Sequence, residues 1–201
     1  MNLFQTPDSN LLPFDGEVFY FSSVFSKEEA DNLLQELDNT INWQHDEIIL
    51  FGKRIITERK VAWYGENSLE YTYSKVTKTA IPWTKDLLYI KHKIENVTGE
   101  TYNSCLLNRY QNGNQGMSWH SDDEIMLKKN ASIASVSLGV ARIFKFKHKK
   151  VKTTLDLFLE HGSLLDMREN TQLNWLHALP KSKKVQGLRI NLTFRKINAL
   201  S

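Results

Sequence analysis

From Leu188 to Arg195 the chain alternates strictly: Leu188, Ile190, Leu192 and Phe194 are apolar, while Arg189, Asn191, Thr193 and Arg195 are polar. Successive side chains of a strand point to opposite faces, so this period of two predicts a half-buried strand with both arginines on one side. Earlier segments follow a helical period instead. Ala30, Leu33, Leu34 and Leu37 recur at that spacing behind Ser26 and Glu29, a serine and a glutamate placed to form a capping box. Leu87, Ile90, Ile94 and Val97 mark a second helix after Pro82, with Gly99 to end it. From Tyr102 onward, short apolar runs are separated by Gly, Asn and Lys turns, the signature of strands.

Composition narrows the class. With 201 residues, one compact domain is expected, and 41% apolar with 11% aromatic residues can fill its core. No run approaches the roughly 18 apolar residues of a membrane helix, and MNLFQTPDSN has neither the basic nor the apolar region of a signal peptide. The expectation is a soluble intracellular protein with no membrane partner. The single cysteine, Cys105, forms no internal disulfide and sits in an apolar run, which assigns it to the core. Net charge is only +3, so affinity for a polyanion has to come from local clusters: Lys145, Lys147, Lys149, Lys150 and Lys152 in one, Lys181, Lys183 and Lys184 in the other. Either cluster fits a solvated turn or a phosphate-contacting surface.

The candidate chemistry is a His-x-Asp pair, His120 and Asp122 in WHSDDE, with His177 far downstream in NWLHALP. Two imidazoles and one carboxylate can cap one face of an octahedral metal and leave the other open, as in non-heme Fe(II) oxygenases. Taken alone, the pair is a weak signal. The arginine pair adds to it, because a guanidinium facing the inside of a sheet needs an anion, and its planar fork suits a carboxylate. A rise of about 3.3 Å per residue puts Arg189 and Arg195 about 20 Å apart, too far to grip one carboxylate but within reach of the two ends of a dicarboxylate. Alternation by itself also fits an edge strand with solvated arginines. Upstream, CLLNRY places Asn108 and Tyr110 on one strand face, ahead of a Gly/Asn turn and the His-x-Asp pair.

In this order NRY, WHSDDE, IASVSLG, RIFKFKHK, HGSLLDM, WLHALP and RINLTFRK resemble the AlkB family of iron and 2-oxoglutarate dependent dioxygenases. The resemblance runs from about Phe14 to Ile197, and LFGKRIITERKVAWYGENSLEYTYS resembles the branch that repairs alkylated duplex DNA. It implies a mainly β fold with flanking α-helices, a double-stranded β-helix or jelly roll under an N-terminal nucleotide-recognition lid. Residues 1–13 would be a loose arm and 14–201 a single domain, with the lid at about 42–75 and the jelly-roll core at about 102–197. The implied cofactors are Fe(II), held by His120, Asp122 and His177, and 2-oxoglutarate. Arg189 with Tyr110 would take the distal carboxylate and Arg195 with Asn108 the one near iron, with Thr193 a minor contact.

For substrate, the resemblance assigns Leu50, Phe51 and Gly52 to a finger that fills the gap left by a flipped base. Tyr73 would stack on that base against His120, Tyr71 would contact its edge or backbone, and Arg59 would steady its phosphate. Asp123 and Glu124 would sit at the pocket mouth, where anions select a base made cationic by N-methylation. The implied reaction is oxidative demethylation of 1-methyladenine and 3-methylcytosine in DNA, consuming molecular oxygen and releasing formaldehyde, succinate and CO2. A monomer acting on duplex DNA is expected, in the cytoplasm of a bacterium or the nucleus of a eukaryote. The alternatives are the same chemistry on RNA or single-stranded DNA, and a non-catalytic damage-binding module. His45 and His92 are expected at the surface, His148 and His161 outside the ligand set, and Asp166 and Trp175 in supporting positions.

Overall fold

The computed structural model describes residues 9–50, 53–66, 69–73, 76–124 and 126–198. In chain order the elements are β1 (Glu17–Phe21), α1 (Lys27–Thr40), β2 (Gln44–Leu50), β3 (Lys53–Gly65), β4 (Glu70–Tyr73), β5 (Val76–Thr79), β6 (Ile81–Pro82), α2 (Lys85–Thr98), β7 (Ser104–Tyr110), β8 (Met117–His120), β9 (Ile133–Gly139), β10 (Arg142–His148), β11 (Thr154–Leu159), β12 (Ser163–Arg168), α3 (Thr171–Asn174), β13 (Trp175–Leu179) and β14 (Arg189–Arg195). Among the described residues they form a large sheet ordered β1-β12-β9-β14-β7-β3-β2, with β6 beside β3, a smaller sheet ordered β11-β10-β13-β8, and the separate hairpin β4-β5.

Both long helices begin and end as their residues dictate. At α1 the Ser26 hydroxyl accepts from the Glu29 amide at 3.2 Å, and the Glu29 carboxylate accepts from the Ser26 amide at 2.8 Å, closing the capping box. Thr84 caps α2, and Gly99, at φ 74°, ends it in the left-handed conformation that glycine adopts without steric cost. Ala30, Leu33 and Leu37 of α1 and Leu87, Ile90 and Ile94 of α2 are buried in one cluster with Cys105, Leu107, Val136, Ile190, Leu192 and Phe194. The helices therefore cover one face of the large sheet. Its other face meets the small sheet through Val18, Ile133, Phe146, Leu165, Met167 and Trp175.

This layering corrects one expectation. The strand at 189–195 is buried on both faces rather than half-buried, because its apolar side packs under the helices and its polar side lines the space between the sheets. β3 pairs antiparallel with β7 from Lys60↔Arg109 to Gly65↔Ser104, so the 42–65 segment extends the large sheet directly. In the N-terminal arm, Asn10 accepts from the Leu12 and Val18 amides and Leu12 is buried, which ties residues 10–12 to β1. No helix among the described residues is long and apolar enough to cross a membrane.

Candidate metal centre and its cavities

Strands β8 and β13 lie side by side with His120 directly opposite His177. That register brings their Nε2 atoms to 3.1 Å. The other nitrogen of His120, Nδ1, sits 2.8 Å from the Ser118 carbonyl oxygen. A proton on Nδ1 satisfies that carbonyl and leaves the Nε2 lone pair facing inward. Asp122, just past β8, places Oδ1 3.9 Å from His120 Nε2, and the ligand atoms of all three residues lie within 4.8 Å of one another.

The protonation states suit a divalent cation. Burial pushes the His177 pKa down to about 4, so its imidazole is neutral at pH 7. Phe144 stacks on this ring, centroids 5.3 Å apart, and shields it. Burial also acts to raise the Asp122 pKa, but the charge of Arg195 and its hydrogen bond outweigh it and hold the carboxyl below its ordinary value. Arg195 Nη2 donates to Asp122 Oδ1 at 2.7 Å, and its Nη1 lies 3.6 Å from Glu124 Oε1. One carboxylate and two imidazole nitrogens converging on a point is a donor set that Fe(II) accepts, and Asp122 and His177 need lose no proton to bind it.

Arg189, Asn191, Thr193 and Arg195 line the cavity beside these ligands. Arg189 is buried, donates from Nη2 to Ser137 Oγ at 2.9 Å, and leaves Nε buried without a partner. The Tyr110 ring lies 5.6 Å from its guanidinium carbon, and burial pulls the arginine down to about 10. A buried cation with an unused donor is a site for an anion, and a carboxylate matches it in charge and shape. The donor set and this cradle together fit Fe(II) with a bound dicarboxylate. Deeper in the polar face, Asn191 donates to Ser135 Oγ at 2.7 Å and Thr193 to Asn191 Oδ1 at 3.2 Å.

A larger cavity of about 500 Å³ adjoins the first, sharing Leu106 and Arg195 with it. Arg59, Trp63, Asp46, Glu124 and Met126 contribute to its wall. Arg59 is aimed there by the irregular register of β2 against β3, where His45 pairs with Lys60 but Glu47 with Ile56. Its Nε donates to Asn108 Oδ1 at 3.0 Å and its Nη2 to Asp46 Oδ2 at 3.3 Å.

The structure thus brings together His120, Asp122, His177, Asn108, Tyr110, Arg189, Thr193 and Arg195 in one cavity. Among the protein's own groups, Asn108 is bonded to Arg59, and Arg195 to Asp122. Glu124 lines the larger cavity, whereas Asp123 is exposed and accepts from Ser121 at 3.1 Å. Tyr71 and Tyr73 lie on β4 opposite Lys78 and Val76, with side chains outside the described residues. In the expected finger, Leu50 pairs with Lys53 through the backbone, and Phe51 and Gly52 lie outside the described residues.

Sequence reasoning missed Arg142, Ser137, Trp63, Asp46 and Phe144. Trp63 had a usable signal, since alternation along 59–63 places it on the face of Arg59. His148, expected in a lysine-rich turn, is buried against Trp175 at 5.0 Å and accepts the Lys150 and Val151 amides at Nδ1. His161 accepts the Gly139 amide and reaches Asp31 at 3.1 Å. Neither belongs to the ligand cluster.

A model of the 2OG-Fe(II) oxygenase superfamily matches residues 17–195. The chain is 40% identical over 188 residues to DNA oxidative demethylase ALKBH2 of Homo sapiens, covering 88% of this chain and 72% of that protein. It is 38% identical over 183 residues to alpha-ketoglutarate-dependent dioxygenase alkB homolog 3 of Homo sapiens, covering 84% of this chain and 62% of that one. Among solved structures, that of OsALKBH1 superimposes with a TM-score of 0.62 at 14% identity, over 89% of this chain and 97% of the other, a likeness of fold.

Proposed function

Because this chain belongs to the 2OG-Fe(II) oxygenase superfamily, we propose that it is a DNA oxidative demethylase acting on bases alkylated at a ring nitrogen, with 1-methyladenine and 3-methylcytosine as substrates. The observation that carries this reading is a single cavity holding both a three-donor metal cluster and a buried arginine with an unused donor, opening beside a second cavity lined by Asp46 and Glu124. The relatives named for DNA demethylation, at about 40% identity over most of the chain, support the same substrate class. A DNA substrate supports an intracellular site of action.

His120, Asp122 and His177 hold the metal. Fe(II) with 2-oxoglutarate and O2 would supply the oxidising chemistry, one oxygen atom ending in succinate as CO2 leaves and the other on the methyl carbon, which is released as formaldehyde. Arg189 and Tyr110 orient the distal carboxylate of 2-oxoglutarate, and Arg195 steers the proximal one while anchoring Asp122. Phe144, packed on His177, keeps water from the ligand cluster. In the larger cavity Glu124 and Asp46 attract a cationic methylated base, and Trp63 offers an aromatic wall. Tyr73 stacks on the flipped base, Tyr71 contacts its edge, and Arg59, already bonded to Asn108, links the nucleotide pocket to the co-substrate cavity. By resemblance to the duplex-repair branch, Leu50, Phe51 and Gly52 would fill the base stack of a duplex where the base has left it.

The test supplies Fe(II), 2-oxoglutarate and air to the protein with oligonucleotides carrying 1-methyladenine, duplex or single-stranded. Methyl loss that vanishes in His120→Ala and runs faster on duplex DNA is the expected result, with Phe51→Ala lowering the duplex rate most. Methyl loss from single strands alone would contradict the finger's role. No loss from either strand would overturn the assignment.

A further inference from the structure

Arg142 opens β10 at 1% exposure, yet it forms no ion pair with a carboxylate among the described residues. Its Nη2 donates to the carbonyl oxygens of Gln115 at 3.0 Å and Pro180 at 2.8 Å, while Nη1 is buried without a partner. Those carbonyls flank the cavity: Met117, two residues after Gln115, and Leu179, immediately before Pro180, both line it. Arg142 therefore ties the loop entering β8 to the end of β13. It also lies close enough to Tyr110 and Arg189 for its charge to act on both. The turn that delivers it is tight. Gly139, at φ 91°, sits opposite Arg189, and Val140 donates to the Leu188 carbonyl at 2.9 Å.

A guanidinium stays charged at any physiological pH, and burying one without a counter-ion is unfavourable. Here two such groups act on one end of the cavity: Arg189 lines it, and Arg142 sits in its wall on the Gln115 and Pro180 carbonyls, while burial keeps the Tyr110 phenol neutral. That end carries an excess of positive charge which an anionic ligand group would offset. We propose that Arg142 is a positioning residue for the distal carboxylate of 2-oxoglutarate: it fixes the walls around Tyr110 and adds a second positive charge behind Arg189, so the cavity selects a dicarboxylate keto acid over a monocarboxylate one. The inference rests on the assignment of Arg189 and Tyr110 to that carboxylate.

The experiment measures binding without turnover, by calorimetry on Mn(II)-loaded protein, for 2-oxoglutarate and for 2-oxovalerate, which keeps the chelating end and lacks the distal carboxylate. Wild type is expected to prefer 2-oxoglutarate. Arg142→Gln is expected to raise its Kd about tenfold and to leave 2-oxovalerate within about twofold. Arg142→Lys, which keeps the charge, is expected to retain most of the preference. Should Arg142→Gln fail to fold, Arg142→Met carries the same test, since an apolar replacement leaves no buried donor unsatisfied. Equal weakening of both acids, or an unchanged preference, would overturn the proposal. A wild type that does not prefer 2-oxoglutarate would instead sink the Arg189 assignment beneath it.

Discussion

Asp122 serves two partners. One carboxylate oxygen faces the paired imidazoles and also accepts the Arg195 guanidinium at 2.7 Å, so Asp122 and Arg195 are one charged unit. Both groups are nearly buried, and removing one charge strands the other. Asp122→Asn is expected to lower stability by about 2–3 kcal/mol in metal-free buffer, measured by urea unfolding, and to abolish metal retention. A variant as stable as wild type would show that Arg195 is neutralised elsewhere. The ligand triad was legible because His-x-Asp and a distant histidine stood among blocks of family character. Arg142 was not legible: within RIFKFKHK it reads as one more cation of a basic strand, and only the fold shows it buried with no ion pair among the described residues.

Among the elements, β14 and α1 place the site by opposite means. The alternation along β14 predicted which side chains share a face; that the polar face is buried could not be read, because burial depends on the second sheet lying across it. For α1 the capping box was legible in Ser26 and Glu29, but the link it makes to α2 was not. Glu29 also accepts from Lys93 at 2.6 Å and Tyr89 at 2.5 Å. Burial acts to raise its pKa, but Lys93, Tyr89 and the Ser26 amide outweigh this and bring it to about 2. With the folded value below the ordinary 4.5, the carboxylate stabilises the fold above pH 4.5, and this contribution is lost as pH falls towards 2. Glu29→Gln should therefore cost about 1 kcal/mol at pH 7, a figure already reduced for solvent screening. In denaturant titrations its gap from wild type should close between pH 4.5 and 2. A gap independent of pH would assign the effect to packing instead of charge.

Across the whole molecule, the large sheet joins the strands that wall the larger cavity to those that line the metal-site cavity. β3 is hydrogen-bonded to β7, which carries Asn108 and Tyr110, and β7 to β14, which carries both arginines. Arg59 crosses that continuity to Asn108, so the two cavities share a wall and not merely a boundary. The sequence periods implied strands and helices, and the family resemblance a jelly roll; the joining of β3 to β7 depends on pairing from Lys60↔Arg109 to Gly65↔Ser104, far apart in the chain, which no local pattern encodes. The central claim is that one chain binds Fe(II) through His120, Asp122 and His177 and presents 2-oxoglutarate to it from the arginine cradle. Anaerobic titration of the metal-free protein with Fe(II) and 2-oxoglutarate tests this directly, through the visible charge-transfer absorption of a ferrous 2-oxo-acid chelate. The account predicts that the band saturates at one Fe(II) and one 2-oxoglutarate per chain and is lost in His177→Ala. No band in the wild type, or a band of full intensity in His177→Ala, would contradict it.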